Sequence, residues 1–500
     1  MSVLEGLQPE KVFYYFEQIS RIPHGSGNVD QISDYLLQFA RERSLLCIQD
    51  EMKNIIIVKE AAPGYEQEEP FILQGHMDMV AVKEPGCEVD MTKEPLRLKV
   101  ENGRICAEGT SLGGDDGIAV AYCLALLDSE DIGHPRLEII LTVNEETGMH
   151  GAMDIDLSML QGKRMINMDQ EEEGIFITSC AGGARVDVTI PVCRISGAKD
   201  MEENRQMEVK ITGLSGGHSG TEIYKNGGNA NVLLGQLVGE VIRQTGAGVM
   251  AMEGGVADNA IPREASARLL VPEEHIAQVQ ALVEEQEHSY KEQFAKSDPV
   301  LRITCRLVQM PQDAGEGDDK EESIPPYACC TGDSIRNALS CLAALPNGVT
   351  GMSRHVPGLV ETSLNLGIMK LTEDALTLSY AVRSSVNQEK EALCGNMLDI
   401  ARGHGAVMTV RNAYPGWAYR VDSPLRDKMC AIYEQMYGRA PKLEAIHAGL
   451  ECGILADKIE GLDCISIGPD LHDVHTAQES MDIASVRRVW EYLVAVLSQR

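Results

Sequence analysis

Gln74-Gly75-His76-Met77-Asp78 follows directly on the apolar run Phe71-Ile72-Leu73, and the fold reading turns on this stretch. A short buried strand that delivers histidine and aspartate at its carboxyl end is the arrangement of an open α/β sheet, where ligand groups collect outside the strand ends. The same form recurs outward from it. Residues 54–58 (Asn-Ile-Ile-Ile-Val), 137–143 and 164–168 read as further short buried strands. Residues 11–19 and 30–43 carry apolar residues at the three-and-four spacing of helices, and 118–127 reads as an Ala-rich helix entered from the turn Gly113-Gly114-Asp115-Asp116-Gly117. Strands alternating with helices predict an α/β fold, its sheet covered on both faces.

Near Ala184 the pattern changes. Strands are expected over 185–191, 207–212 and 264–271, and helices over 229–244 and 273–296. The alternation resumes from 329 to 382, then returns to helix (425–437), strand (463–467) and helix (483–497). Residues 313–323 hold Asp313, Glu316, Asp318, Asp319, Glu321 and Glu322 and predict a solvated loop. The expected organisation is one domain from both ends of the chain, 1–185 and 414–500, with 186–413 inserted. Five hundred residues exceed one ordinary core.

Charge narrows the function. Against 44 Lys+Arg stand 76 Asp+Glu, a net −32, which repels phosphate backbones and anionic lipid. Neither nucleic acid nor membrane is an expected partner. The N-terminal residues lack a basic region followed by an apolar stretch, and no apolar run approaches the roughly 18 residues of a membrane helix. The 14 cysteines include no C-x-x-C pair; reduced thiols in a cytoplasmic protein are expected.

Several acidic and histidine residues stand where strands meet loops. His76 and Asp78 follow the first strand; alone, H-x-D is weakly specific. Asp115 and Asp116 follow Gly113-Gly114 at the mouth of a helix, where N-capping is an equal reading for Asp116. Glu145 and Glu146 follow the 137–143 strand; converging carboxylates would repel without a cation or proton between them, and a solvated strand end is the alternative. Asp169 ends the next strand, and His475 lies far along the chain. Imidazole and carboxylate without cysteine suit Zn²⁺ or Mn²⁺ and argue against a structural zinc knot.

Together with these, Leu112-Gly113-Gly114-Asp115-Asp116-Gly117, Asn144-Glu145-Glu146-Thr147-Gly148, Gly216-Gly217-His218-Ser219-Gly220, Asp258-Asn259-Ala260-Ile261-Pro262, Val382-Arg383-Ser384-Ser385 and His447-Ala448-Gly449-Leu450-Glu451-Cys452-Gly453 resemble the co-catalytic di-zinc metallopeptidases. Within that group the chain resembles the aminoacyl-histidine dipeptidases, from about Pro23 to Ser480. The resemblance implies a di-metal catalytic domain with a central mixed sheet, an inserted α+β lid or dimerisation domain, and a homodimer. It implies two divalent ions per chain, Zn²⁺ foremost with Co²⁺ or Mn²⁺ as alternatives. His76 and Asp169 would hold one, Glu146 and His475 the other, and Asp115 would bridge. Glu145 would be the general base, Asp78 would orient His76, and His218 would stabilise the oxyanion. Asn259 and Arg383 would bind the substrate backbone and carboxylate, with His447 and Glu451 beside the substrate. Aspartate at position 169 goes, in that family, with a free substrate amine. Hydrolysis of unblocked dipeptides, Xaa-His and β-Ala-His among them, is the implied activity; a tripeptidase, an N-acyl amino acid deacylase or a non-catalytic metal-binding relative are the alternatives.

Overall fold

The computed structural model describes residues 2–195, 203–308 and 329–500; the acidic stretch 313–323 lies outside the described residues. The chain divides into two compact units, Met1–Cys180 with Trp417–Arg500, and Ala181–Gly416. The expected cuts at 185/186 and 413/414 shift by a few residues. The physical reason is pairing: the strand Gly182–Pro191 runs antiparallel to Ala375–Ser384 from its first residue and pairs with Val407–Tyr414 on its other side.

The first unit holds an eight-stranded mixed sheet. Four of its strands, Leu137–Thr142, Phe71–His76, Arg164–Asn167 and Asp463–Ser466, run parallel as consecutive neighbours. Every residue of the first two is buried, which accounts for their unbroken apolar reading. Leu46–Gln49 and Ile55–Lys59 add antiparallel strands at one side. The helix Gly114–Leu127 buries every residue except Asp115, as befits a helix that is apolar all round. It lies against Phe71–His76 so closely that a Cβ on Gly75 would sit 2.6 Å from Ala119 Cβ and 2.5 Å from Asp116 Oδ2. Any larger residue at 75 would push helix and strand apart. Helices Glu10–Ser20 and Ile483–Ser498 contribute their apolar faces to the same core.

The second unit is α+β. Its sheet runs Arg302–Leu307, Asn204–Thr212, Ala265–Pro272, Gly248–Gly254, Val360–Leu371, Ala375–Ser384, Gly182–Pro191, Val407–Tyr414, and neighbours along this path are antiparallel. Strands Asn204–Thr212 and Ala265–Pro272 alternate in burial along their length, the mark of a sheet with one face in a core. Helices Ala230–Thr245, Ile276–Gln293 and Gly332–Ala344 bury their apolar residues in that core. Among the described residues no helix is long and apolar enough to cross a membrane.

Candidate metal centre

The parallel strands deliver the centre. With Phe71 beside both Leu137 and Arg164, the carboxyl ends of three strands share one edge. His76 is the last residue of its strand, Glu145 and Glu146 come just after Thr142, and Asp169 just after Asn167. Asp115 comes from the first turn of the Gly114–Leu127 helix, where neither it nor Asp116 has helical dihedrals; the peptide bond between them is cis. His475, with φ 63°, comes from the loop between the strands Leu471–His472 and Ser480–Asp482. Left-handed backbone at a non-glycine residue is sparse and concentrates at functional sites.

Asp115 spans the cluster. Its Oδ1 lies 3.0 Å from His76 Nε2 and its Oδ2 3.1 Å from His475 Nε2. His76 Nε2 is also 3.5 Å from Asp169 Oδ1, and His475 Nε2 is 3.0 Å from Glu146 Oε1. Ligand atoms of three groups converge to within 4.8 Å: Asp115, Glu146 and His475; His76, Glu145 and Glu146; His76, Asp116 and Asp169.

The electrostatics ask for positive charge. Burial pushes Glu145 well above the ordinary glutamate range, with Asp169, Glu451 and Glu146 adding to the rise. Burial likewise raises Asp169 to about 6 and Asp116 well above its usual value. Burial acts against a charged Asp115 too, but hydrogen bonds from His475 and His76 outweigh it and hold that carboxyl low. His475 rises to about 11 through its bonds to Asp115 and Glu146. Among the described residues no Lys or Arg ion-pairs with Asp115, Glu145, Glu146 or Asp169. Buried carboxylates and imidazoles without a cationic side chain fit divalent cations, whose charge would take the place of the protons these carboxyls otherwise hold.

Supporting contacts explain the aim of the site. His76 Nδ1 meets the backbone carbonyl of Asp78 at 2.9 Å, while the Asp78 carboxylate is 3.7 Å away. That carboxylate accepts from Ser26 Oγ at 2.8 Å and from the Glu145 backbone N–H at 3.1 Å. Asp78 therefore holds His76 through its backbone and Glu145 through its side chain. Asp116 accepts from the His76 backbone N–H at 3.2 Å and caps no helix. Beneath the edge, Gln74 takes Asn167 Nδ2 at 2.6 Å and gives its own amide to Glu451 Oε2 at 2.5 Å. Thr142 also donates to Glu451 at 2.5 Å, and Glu451 Oε1 has no hydrogen-bond partner among the described residues. Burial raises Glu451 to about 8. Glu479, 3% exposed, accepts from the backbone amides of Leu112, Gly113, Gly114 and Asp115. Ser26, Asn167 and Glu479 escape sequence reasoning. For Glu479 the only local signal is its place four residues after His475.

In the second unit, His218 pairs opposite Ala260 in the short ladder Gly217–His218 with Ala260–Ile261. A cavity of roughly 650 Å³ there is lined by His218 and Asn259, among others. Burial, then the charges of Arg383 and Arg185, holds His218 below its ordinary pKa. Arg383, 5% exposed, meets Tyr414 Oη at 3.5 Å. Its Nε has no partner, and among the described residues no carboxylate lies within ion-pair distance of it. His447 is buried in the first unit.

The whole chain resembles known proteins. Over 499 residues, covering 100% of this chain and 99% of its relative, the sequence is 32% identical to a cytosol non-specific dipeptidase of Escherichia coli K12. The crystal structure of an aminoacylhistidine dipeptidase from Vibrio alginolyticus is similar at a TM-score of 0.91 and 31% identity, over 99% of this chain and 97% of that one. An aminopeptidase structure from Bacillus cereus shares the fold at a TM-score of 0.54 and 14% identity, over 98% of each chain. Residues 72–499 match the peptidase family M20/M25/M40, and with an edge of parallel strands bearing His76, Glu145, Glu146 and Asp169 around Asp115, the chain belongs to that family.

Proposed function

We propose that this protein is a metal-dependent dipeptidase acting on unblocked dipeptides, Xaa-His among them, with two divalent cations, Zn²⁺ foremost. One observation carries the two-cation part of the reading: the Asp115 carboxylate divides its oxygens between two imidazoles, as a carboxylate shared between two cations would divide them. The dipeptidase part is supported by the full-length likeness to named dipeptidases. His76 and Asp169 would hold one cation, and Glu146 and His475 the other. When bound, such a pair lowers the pKa of water and polarises the scissile carbonyl.

The chain's own residues do the rest. Glu145 takes the proton of the attacking water and returns it to the leaving amine; burial raises its proton affinity, and the Asp78 carboxylate fixes its backbone. His218 donates to the developing oxyanion. Arg383, a buried guanidinium with no carboxylate partner among the described residues, takes the dipeptide's terminal carboxylate through its planar fork, and Asn259 the substrate backbone. His447 and Glu451 line the substrate's surroundings. We place the protein in the cytoplasm, in line with the naming of its Escherichia coli relative, and assign it a homodimer on the family resemblance, which sedimentation checks.

Metal content by mass spectrometry, run beside a panel of carnosine, other dipeptides, a tripeptide and an N-acetyl amino acid, tests the whole reading. Two cations per chain and turnover of the dipeptides are expected. Preference for the N-acetyl substrate would replace the dipeptidase with a deacylase.

A further inference from the structure

Glu479 faces the backbone of the segment that carries Asp115. Its Oε2 accepts from Leu112 N–H at 2.8 Å and Gly113 N–H at 3.0 Å; its Oε1 accepts from Gly114 N–H at 2.7 Å and Asp115 N–H at 3.4 Å. Four consecutive amides can converge on one carboxylate only if the chain curls tightly, and Gly113 supplies the left-handed residue, φ +70°. A Cβ there would lie 2.7 Å from Met79 Sδ. The other end of Glu479 belongs to the His475 loop. Its backbone N–H donates to Thr476 O at 3.2 Å, and Thr476 N–H donates to Asp473 O at 3.2 Å. A single side chain thus joins the turn that bears Asp115 to the loop that bears His475.

We propose that Glu479 is a positioning residue that fixes the Leu112–Asp115 turn against the His475 loop, so that Asp115 and His475 present their ligand atoms to one cation together. The inference rests on the metal-dependent reading above. Without Glu479 the four amides lose their acceptor, and Asp115 is free to turn about the backbone that now holds one of its oxygens toward each histidine. Partners behind a ligand set in this way usually govern affinity as much as fold.

Glu479→Gln tests it. The amide keeps the shape but sets an NH₂ against two N–H donors. Zinc affinity, measured on metal-stripped protein by competition with a chromophoric chelator, should fall about 10–100-fold for the weaker-held cation. The absorption bands of the Co²⁺-substituted protein should change, and kcat should fall more than KM rises. Glu138→Gln is the control, because Glu138 is also buried and accepts from the amides of Gln161 and Gly162, but at the opposite end of its strand. It should lower the melting temperature and leave zinc affinity as in the parent. If Glu479→Gln does not fold, Gly114→Ala replaces it. The added Cβ would lie 3.2 Å from Glu479 Oε1 and should weaken zinc binding in the same direction. Parental zinc affinity in the folded variants at 479 or 114, or an equal loss at Glu138→Gln, overturns the proposal while leaving the dipeptidase reading intact. A parent chain that binds no divalent cation overturns both.

Discussion

Asp115 and His475 stand 360 residues apart in the chain and meet at 3.1 Å, Oδ2 to Nε2, while the other oxygen of Asp115 faces His76. On the proposed reading, that carboxylate would serve two cations at once. Asp115→Ala should therefore bring metal content below two per chain, read by mass spectrometry on desalted protein. A content of two in the variant would contradict the bridge.

Glu145 lies in the acidic cluster, yet its assigned role is to carry a proton. Glu145→Gln should retain the metal complement of the parent and lose about 10²–10⁴ in kcat, the usual contribution of a general acid–base group. Metal analysis and kcat on one preparation separate the roles: loss of metal would make Glu145 a ligand.

His218 is removed in sequence from the acidic cluster. If it donates to the oxyanion, His218→Ala should lower kcat by about 10²–10³, with metal content unchanged. A modest rise in KM alone would reduce it to a shielding residue.

Arg383→Ala should raise KM for free dipeptides and far less for the matching dipeptide amides, which lack the carboxylate. Steady-state kinetics on paired substrates reads the difference. Equal impairment on both would remove Arg383 from carboxylate recognition.

The metal-free chain should also show a pH signature from Glu451. Burial raises its folded-state pKa from 4.5 to about 8, so the folded chain keeps a proton that the unfolded chain releases. That contribution to stability is complete below pH 4.5 and is lost as pH rises through 8. In the presence of chelator, Glu451→Gln should gain in melting temperature relative to the parent between pH 5.5 and 8.5. A difference independent of pH would show that Glu451 does not titrate in this range.

Much of this was legible in one dimension. Runs such as Phe71-Ile72-Leu73 and the 137–143 segment declare buried parallel strands because both faces of such strands meet helices. The acidic and histidine residues just after them stand out because ligand groups collect outside the carboxyl ends of such strands. Strand ends can be read locally because hydrophobic runs are local.

The sequence by itself therefore determined the α/β class, the strand-end positions of His76, Glu145, Glu146 and Asp169, and the family. Tertiary structure decided how they are held. Asp116 could have been a helix cap by its position, but the turn carrying it is non-helical and aims its carboxylate at the His76 backbone. Asp78 reads as the carboxylate partner of His76, and the folded chain gives that contact to its carbonyl, freeing the carboxylate for Ser26 and Glu145. Glu479 meets amides 364 to 367 residues away, and its place four residues after His475 says nothing of that contact. Burial and partnership between distant loops are properties of the packed chain, and they alone turn dispersed carboxylates into one site.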